Sequence, residues 1–219
     1  MSPLFLNIVF NTTKEKEEKQ MICEYCGKDA ICRCSVCGKM LCTEHVKLRT
    51  VCSSCIKENT VEYSIHKVVL DKEREKIREL VRRFWGEEEQ LTFDRKFMVA
   101  ELPAYTAKLE NDIIGFISFT ETDDAIMIAA LGVLPQYQGC GVGRSLIEKV
   151  ETEAKRRMKK KLLVSTSNDD LPALAFYQSL GFQIYMVKPN IIAEKHGEVL
   201  KGIGGLPIRD ELRLQKILL

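Results

Sequence analysis

Three short apolar runs in the middle of the chain form its most regular pattern. They cover residues 104–109, 113–119 and 125–133, and polar turns at 110–112 and 121–124 separate them. Each run has the length of a strand and is rich in β-branched and aromatic residues. The pattern predicts an antiparallel meander, whose third strand leads to a proline turn.

A strand and a helix are predicted before the meander. Residues 61–70 alternate as a strand does, and apolar residues in 77–85 then recur at the spacing of one helix face. Asp71 is the predicted N-cap of this helix, and Gly86 its predicted end. The acidic residues 87–89 predict the first turn of a short second helix.

Helices and strands alternate after the meander. We expect a helix over 145–158, a buried strand over 161–166 and a helix opened by Pro172 and ended by Gly181. A strand over 182–187, a glycine-containing connection over 188–207 and a last strand over 208–217 are expected to follow. This order predicts an α+β fold with a mixed, largely antiparallel sheet flanked by helices.

A glycine loop lies between the third meander strand and the next helix. Gly139, Gly141 and Gly143 stand at alternate positions. A strand, glycine loop and helix N-terminus in this order suit a phosphorylated ligand, because the backbone comes close and free N–H groups point at the anion. The spacing differs from the G-x-G-x-x-G of dinucleotide-binding folds. The sequence therefore favours a phosphate-bearing ligand on a different fold.

Composition indicates a globular chain without a membrane span. The 219 residues are 45% hydrophobic and 29% charged, with a formal net charge of +2. No apolar run reaches the ~20 residues that cross a bilayer. Residues 1–20 are predicted to be an N-terminal extension with a mixed-charge run. Its apolar opening is a poor signal peptide, an ordered strand, or a stretch upstream of the true start.

Cysteines are concentrated near the N-terminus. Eight of the nine lie between Cys23 and Cys55, and the ninth is Cys140. Seven of these eight cysteines and one histidine form four pairs, each with two intervening residues: Cys23/Cys26, Cys34/Cys37, Cys42/His45 and Cys52/Cys55. Eight such ligands suit two tetrahedral zinc ions in a reducing compartment. We therefore predict a zinc-binding module over 21–56 and a cytoplasmic protein.

Each ion can be bound by two consecutive pairs, or the order can be interleaved, so that the first and third pairs bind one ion and the second and fourth pairs bind the other. The short gaps between the pairs favour the interleaved order. Cys32 lies outside the pairs, as a buried thiol or as an alternative ligand to Cys34. The spacing resembles that of cross-brace zinc modules, most closely the B-box, with the HIT-type zinc finger as the alternative. The final Cys52/Cys55 pair departs from the usual B-box. Both sites are closed, which predicts a structural or protein-docking role.

Residues 61–219 resemble the GNAT superfamily of acetyl-CoA-dependent N-acetyltransferases. Two motifs carry the resemblance: the pyrophosphate signature at 138–143 and a second signature at 173–182. The resemblance implies that Gln138, Gly139, Cys140, Gly141, Val142, Gly143 and Arg144 surround the pyrophosphate of coenzyme A, mainly through backbone N–H groups. It also implies that the Leu131 carbonyl and the Val133 N–H hold the pantetheine arm. The Val133 N–H is a candidate oxyanion donor.

Direct attack of a primary amine on the thioester follows from the same resemblance. Tyr177 matches the tyrosine placed to protonate the departing thiolate. The family commonly has asparagine where this chain has Asp170, so the cofactor contact falls to either Asn168 or Asp170. The general base is not assigned, and the candidates are Glu101, Glu121, Asp124, His196 or a chain of waters.

The acceptor is expected to be a small-molecule or protein amine, bound by the first helices and the 188–207 connection. A second hypothesis is a zinc-module adaptor that binds coenzyme A or a protein partner without turnover. Nucleic-acid docking through the basic cluster 155–161 is a weaker idea, because cations at a helix C-terminus also complement its dipole.

Overall fold

The computed structural model describes residues 22–28, 32–33, 39–41, 61–202 and 205–218. The predicted extension over 1–20 lies outside these ranges. So do six of the eight predicted zinc ligands, namely Cys34, Cys37, Cys42, His45, Cys52 and Cys55. The fold is therefore described mainly for the part that follows residue 60.

Seven strands form one sheet in this part of the chain. The strands of the described ranges are β1 (Cys32–Arg33), β2 (Met40–Leu41), β3 (Ser64–Lys67), β4 (Glu89–Thr92), β5 (Arg95–Met98), β6 (Ala104–Leu109), β7 (Asp112–Glu121), β8 (Ala125–Val133), β9 (Lys161–Ser167), β10 (Gln183–Lys188), β11 (Leu200–Lys201), β12 (Pro207–Ile208) and β13 (Glu211–Ile217). The large sheet has the order β10-β13-β9-β8-β7-β6-β3. Only its β8–β9 contact is parallel. The predicted meander and the mixed, largely antiparallel sheet are confirmed.

Four α-helices lie in the described ranges: α1 (Asp71–Trp85), α2 (Val142–Arg156), α3 (Leu171–Ser179) and α4 (Ile191–His196). Alternate residues of β7 enter two separate cores, because successive side chains of a strand point to opposite faces. Phe116 packs with Ile77 of α1, and Ile117 packs with Leu146 of α2. The sheet is thus covered on both faces. None of the helices in the described ranges is long and apolar enough to span a bilayer.

The predicted helix at 87–89 is wrong, because the chain forms the β4–β5 hairpin there. Phe93 and Asp94 make its turn with φ angles of 52° and 58°, the left-handed backbone of a tight hairpin. The Phe93 N–H donates to the buried Glu211 carboxylate across 3.0 Å. A contact to the far end of the chain therefore holds the hairpin in place.

Two further local predictions need correction. Leu70 is the N-cap of α1, and Asp71 is its first helical residue. Glu73 completes the cap, because its carboxylate accepts the Leu70 N–H across 3.2 Å. The predicted irregular connection over 188–207 contains α4 and pairs β11 with β12. Short elements of this size leave little periodicity in a sequence.

Two buried carboxylates make the stability of the fold sensitive to acid. The pKa of Glu73 falls from 4.5 to about 2, chiefly because Lys108 donates a hydrogen bond to it. The pKa of Glu153 falls to about 2 because Arg156 and Arg157 donate to it. Each folded-state pKa lies below the unfolded value, so the stabilisation is complete above pH 4.5 and is lost as the pH falls towards 2.

We expect Glu153→Gln to flatten the acid limb of the stability profile, because the variant has no carboxylate to protonate there. Thermal unfolding measured from pH 7 to pH 3 checks this. Glu148→Gln is the matched control, since Glu148 is an exposed residue of the same helix. An acid limb as steep in Glu153→Gln as in the parent chain would contradict the assignment.

Candidate active site

The central sheet opens at the middle of β8. The parallel contact between β8 and β9 covers only three residue pairs, from Ala125↔Lys161 to Met127↔Leu163. On its other side, β8 has a bulge: Ser118 pairs with Ala130 and Phe119 with Ile128, so that Ala129 has no partner in β7. A bulge bends the strand that contains it. Beyond Met127, β8 and β9 therefore separate and leave a cleft inside the sheet.

Gly132 allows the C-terminal end of α1 to pack directly against β8, beside this cleft. A Cβ atom at this position would lie 2.5 Å from Cε2 of Phe84 and 2.9 Å from Cε1 of Phe116. Such distances exclude a side chain, so the aromatic rings rest on the bare backbone of β8. The cleft wall is therefore formed jointly by the strand and by the C-terminal end of α1.

The glycine loop has the backbone geometry expected of an anion site. Gly139 and Gly141 have φ angles of 89° and 85°, and Gly141 is the N-cap of α2. The N–H groups of Val142, Gly143 and Arg144 open the helix, where no preceding turn supplies a carbonyl. A helix N-terminus of this kind attracts negative charge. The geometry fits the pyrophosphate that the sequence predicts for this loop.

Two cavities meet in the cleft. A larger one of about 750 Å³ follows the glycine loop and the start of α3, and a smaller one of about 400 Å³ lies between α1, β4 and α4. Leu131, Asp170, Ala173 and Tyr177 line both cavities. Ligands in the two cavities would therefore touch at these four residues.

Tyr177 lies at this junction, in the last turn of α3. Its side chain is buried and contacts the rings of Phe176 and Phe182 edge-on. Burial raises the pKa of Tyr177 well above its usual value, and the negative charge of Asp170 adds to the shift. The hydroxyl therefore keeps its proton over the physiological pH range. A buried, protonated hydroxyl at the junction has the properties of a proton donor.

Asp170 and Asn168 have different positions. Asp170 lines both cavities and caps α3, because its Oδ1 atom accepts the Ala173 N–H across 3.0 Å. Asn168 lines neither. Its Oδ1 atom accepts the N–H groups of Arg209 and Asp210, and its Nδ2 atom donates to the carbonyl of Pro207. Of the two predicted contacts, only Asp170 faces the cleft.

The remaining predicted loop residues divide between cavity and core. Val133, Gln138, Gly139, Gly141, Gly143 and Arg144 line the larger cavity, together with Leu131 of β8. Cys140 and Val142 do not; their side chains pack against the core. Burial also raises the pKa of the Cys140 thiol. Any contact of Cys140 or Val142 with a ligand in the larger cavity would therefore come from the backbone.

Three of the four candidate bases lie away from the cleft. Glu101 pairs with Arg78, Glu121 with Arg157 and Lys159, and Asp124 with Lys161. His196, the fourth candidate, lines the smaller cavity at the end of α4. The ion pairs of Glu121 and Asp124 also involve cations of the basic cluster 155–161, which argues against a free nucleic-acid surface there.

Several polar residues line the smaller cavity, and of those named below the sequence singles out only Glu87, within the acidic stretch 87–89. Glu87 and Lys195 form an ion pair in its wall, and Glu211 is buried there beside Arg213, 2.8 Å away. Thr92 and Ser165 share a hydrogen bond of 2.6 Å between β4 and β9. These residues lie far apart in the chain, so no local motif marks them.

Only two of the predicted zinc ligands, Cys23 and Cys26, lie in the described ranges. Cys23 is buried, its carbonyl accepts the Gly27 N–H across 2.9 Å, and Gly27 has a φ angle of 73°. A glycine with left-handed backbone therefore follows the pair directly and closes a tight turn. Within the residues that the structure describes, no three potential metal ligands come together.

Comparison with known proteins agrees with the fold and the loop. The profile of the acetyltransferase (GNAT) family matches residues 74–182. The uncharacterized proteins YdhI and YxbD of Bacillus subtilis (strain 168) are 31% and 30% identical over 142 and 139 residues. These alignments cover 62% and 61% of this chain and 87% and 86% of the relatives.

Solved structures show the same architecture. An IAA acetyltransferase from Bacillus cereus ATCC 14579 is 25% identical with a TM-score of 0.60, over 72% of this chain and all of its own (100%). A GNAT family acetyltransferase from Elizabethkingia anophelis, solved with acetyl-CoA bound, is 23% identical with a TM-score of 0.54, over 71% and 98% of the two chains. The chain therefore belongs to the acetyltransferase (GNAT) family of enzymes.

Proposed function

We propose that this acetyltransferase moves the acetyl group of acetyl-CoA to a primary amine by direct attack. The observation that carries the proposal is the meeting of the two cavities at Leu131, Asp170, Ala173 and Tyr177. A donor in the larger cavity and an acceptor in the smaller one would bring their reacting atoms together there. Proximity of this kind removes much of the entropic cost of a two-substrate reaction.

The larger cavity suits the donor. The N–H groups of the first turn of α2 and of the glycine loop face an anion, and the helix dipole adds to their attraction for a pyrophosphate. The family also includes structures solved with acetyl-CoA bound, among them the protein from Elizabethkingia anophelis. On this proposal, the backbone of Leu131 and Val133 holds the pantetheine arm along the open edge of β8.

Groups of this chain serve two of the steps, the protonation of the departing sulfur and the stabilisation of the oxyanion. The amine nitrogen forms a bond to the thioester carbon, the C–S bond breaks, and sulfur leaves as the thiol after it takes a proton from Tyr177. The attacking nitrogen loses its own proton through water or a neighbouring base. Donation from the Val133 N–H to the developing oxyanion lowers the barrier further. No covalent acyl-enzyme is required, and the half-buried Cys140 thiol takes no part.

Release of free thiol from acetyl-CoA tests the proposal directly. The full chain is incubated with acetyl-CoA and a panel of primary amines, and acetylated products are identified by mass spectrometry. We expect thiol release that depends on an added amine. Binding of coenzyme A without turnover on any amine would instead favour the adaptor that the sequence leaves as the alternative.

We also propose that residues 21–56 form a structural module with two zinc ions. The four two-residue-spaced pairs support it, and so does the turn from Cys23 to Lys28, whose hydrogen bonds orient the first pair. A module of this length buries too little apolar surface to fold without metal or disulfides. The bound metal would supply that stability and leave a surface for a protein partner.

Metal analysis of the purified chain is expected to give two zinc ions per molecule. Cys23→Ser is expected to remove one of them, because a tetrahedral site loses a ligand, while turnover by the domain after residue 60 continues. Elemental analysis of both proteins measures the ratio. Asn59→Ser is the control substitution, since it lies outside the predicted pairs. A parent chain with one ion or none would contradict the two-site module.

A further inference from the structure

We infer that the acceptor is a compact cationic amine, taken whole into the smaller cavity with its ammonium group against the carboxylate of Asp170. This inference rests on the proposed function, because it assigns the larger cavity to acetyl-CoA. It adds the size and charge of the acceptor and a role for Asp170, where the family commonly has asparagine.

The size of the acceptor follows from how the smaller cavity is enclosed. Glu87, just beyond α1, and Lys195 of α4 form an ion pair that joins two of its walls. The β4–β5 hairpin is tied to Glu211 through the Phe93 N–H, and α4 is tied down because the Ile192 N–H donates to the Arg209 carbonyl across 3.0 Å. The volume of about 400 Å³ is near the lower end for small-ligand pockets. A cavity of this size suits a small amine better than a length of polypeptide.

The body of the acceptor is expected to be apolar. Several aromatic and branched aliphatic side chains line the cavity: Phe84, Trp85, Leu91, Ile191, Ile192 and Leu200. Trp85 is 41% exposed, which is unusual for a large aromatic residue and leaves its face available to a ligand. An alkyl or aryl group would bury this surface.

The charge of the acceptor follows from the carboxylates of the lining. Three carboxylates, those of Glu87, Asp170 and Glu211, face one ammonium group, that of Lys195. Glu87 is bonded to Lys195, and Glu211 is bonded to Arg213 and to the Phe93 N–H. Asp170 is the carboxylate at the junction, where the attacking nitrogen must lie. A cation there would gain a charge-assisted hydrogen bond.

Asp170 is held in position by its capping bond. Its Oδ1 atom accepts the Ala173 N–H at the start of α3, and a carboxylate has further acceptor sites for a second donor. Tyr177 lies two turns along the same helix, and both residues line the junction. One helix therefore presents an ammonium-binding carboxylate and a proton-donating hydroxyl to the reacting atoms. Asp170 also raises the pKa of Tyr177, as expected of a nearby negative charge.

The protons of the reaction are accounted for when Asp170 binds the ammonium group and Tyr177 protonates the sulfur. The bound ammonium ion releases one proton to solvent and becomes nucleophilic. Its nitrogen then forms the amide bond while the C–S bond breaks. The second proton of the nitrogen replaces the one that Tyr177 gives to sulfur. The products are an acetamide, the coenzyme A thiol and one proton in solution.

Binding of two isosteres to the full chain saturated with coenzyme A tests the inference. The probes are 2-phenylethylamine, which is cationic at neutral pH, and 2-phenylethanol, which is not. We expect the amine to bind about tenfold more tightly than the alcohol, because of its charge-assisted hydrogen bond. Asp170→Asn is expected to remove this preference, since the amide keeps the capping oxygen and loses the charge. Asp123→Asn, in an exposed turn at the opposite end of β8, is the charge-matched control.

Two further measurements separate failure of the inference from failure of the proposed function. The affinity for acetyl-CoA is measured in the parent chain and in Asp123→Asn, where it is expected to be equal, and turnover is measured with 2-phenylethylamine and with a peptide that has a free N-terminus. The inference is overturned if the alcohol binds as tightly as the amine, if neither binds, or if only the peptide is acetylated. In the last case the proposed function stands. Loss of acetyl-CoA binding by the parent chain would overturn both.

Discussion

Replacing Gly141 by aspartate is expected to weaken acetyl-CoA binding by about 100-fold, since like charges placed together cost several kcal/mol. Gly141 is the N-cap of α2. Aspartate is a favoured N-cap residue, so its carboxylate would accept the same N–H groups that the pyrophosphate needs. The variant is therefore expected to fold and to lose the donor, which calorimetric titration with acetyl-CoA measures.

Gly141→Asn is the matched control for this change. Asparagine has the shape of aspartate without its charge, and both tolerate left-handed backbone better than other residues. The φ angle of 85° therefore strains the backbone equally in both variants. A Cβ atom at this position would lie 3.5 Å from the hydroxyl of Tyr63, a normal van der Waals distance. A smaller loss for asparagine isolates the charge. Unchanged affinity in Gly141→Asp would contradict the assignment of the glycine loop to the pyrophosphate.

Replacing Tyr177 by phenylalanine is expected to lower kcat by about 100-fold, the usual contribution of a positioned general acid. The ring is kept, so its contacts with Phe176 and Phe182 persist and stability should change little. The binding of acetyl-CoA should also be unaffected, because the hydroxyl acts only when the C–S bond breaks. Steady-state kinetics at saturating acetyl-CoA measure kcat and KM separately.

Tyr185→Phe is the control for the loss of a tyrosine hydroxyl. Tyr185 lies on β10, and its side chain is 41% exposed and lines neither cavity. If Tyr177→Phe keeps the kcat of the parent chain, the thiolate leaves without an acid, and Tyr177 is only a packing residue of α3. A rise in KM for acetyl-CoA without a change in kcat would instead assign Tyr177 to donor binding.

Elements with a strong local signal were well predicted. The limits of β6 and β8 agree with the predicted 104–109 and 125–133, because each run has a polar turn at one end and a proline close to the other. Gly86 ends α1 with a φ angle of 80°, as its position after the apolar stripe indicates. The helix assigned to 87–89 failed for the opposite reason. The β4–β5 hairpin depends on Glu211, more than a hundred residues further along the chain.

The sequence by itself determined the order of the longer elements, the glycine loop and the tyrosine of α3, because periodicity, turn residues and short motifs act locally. Only the tertiary structure decided that β8 bulges at Ala129 and parts from β9, since strand pairing depends on long-range contacts. The same packing placed Asp170 at the junction and Asn168 away from it, although only one residue lies between them. A cavity that can take an acceptor exists only after those contacts form.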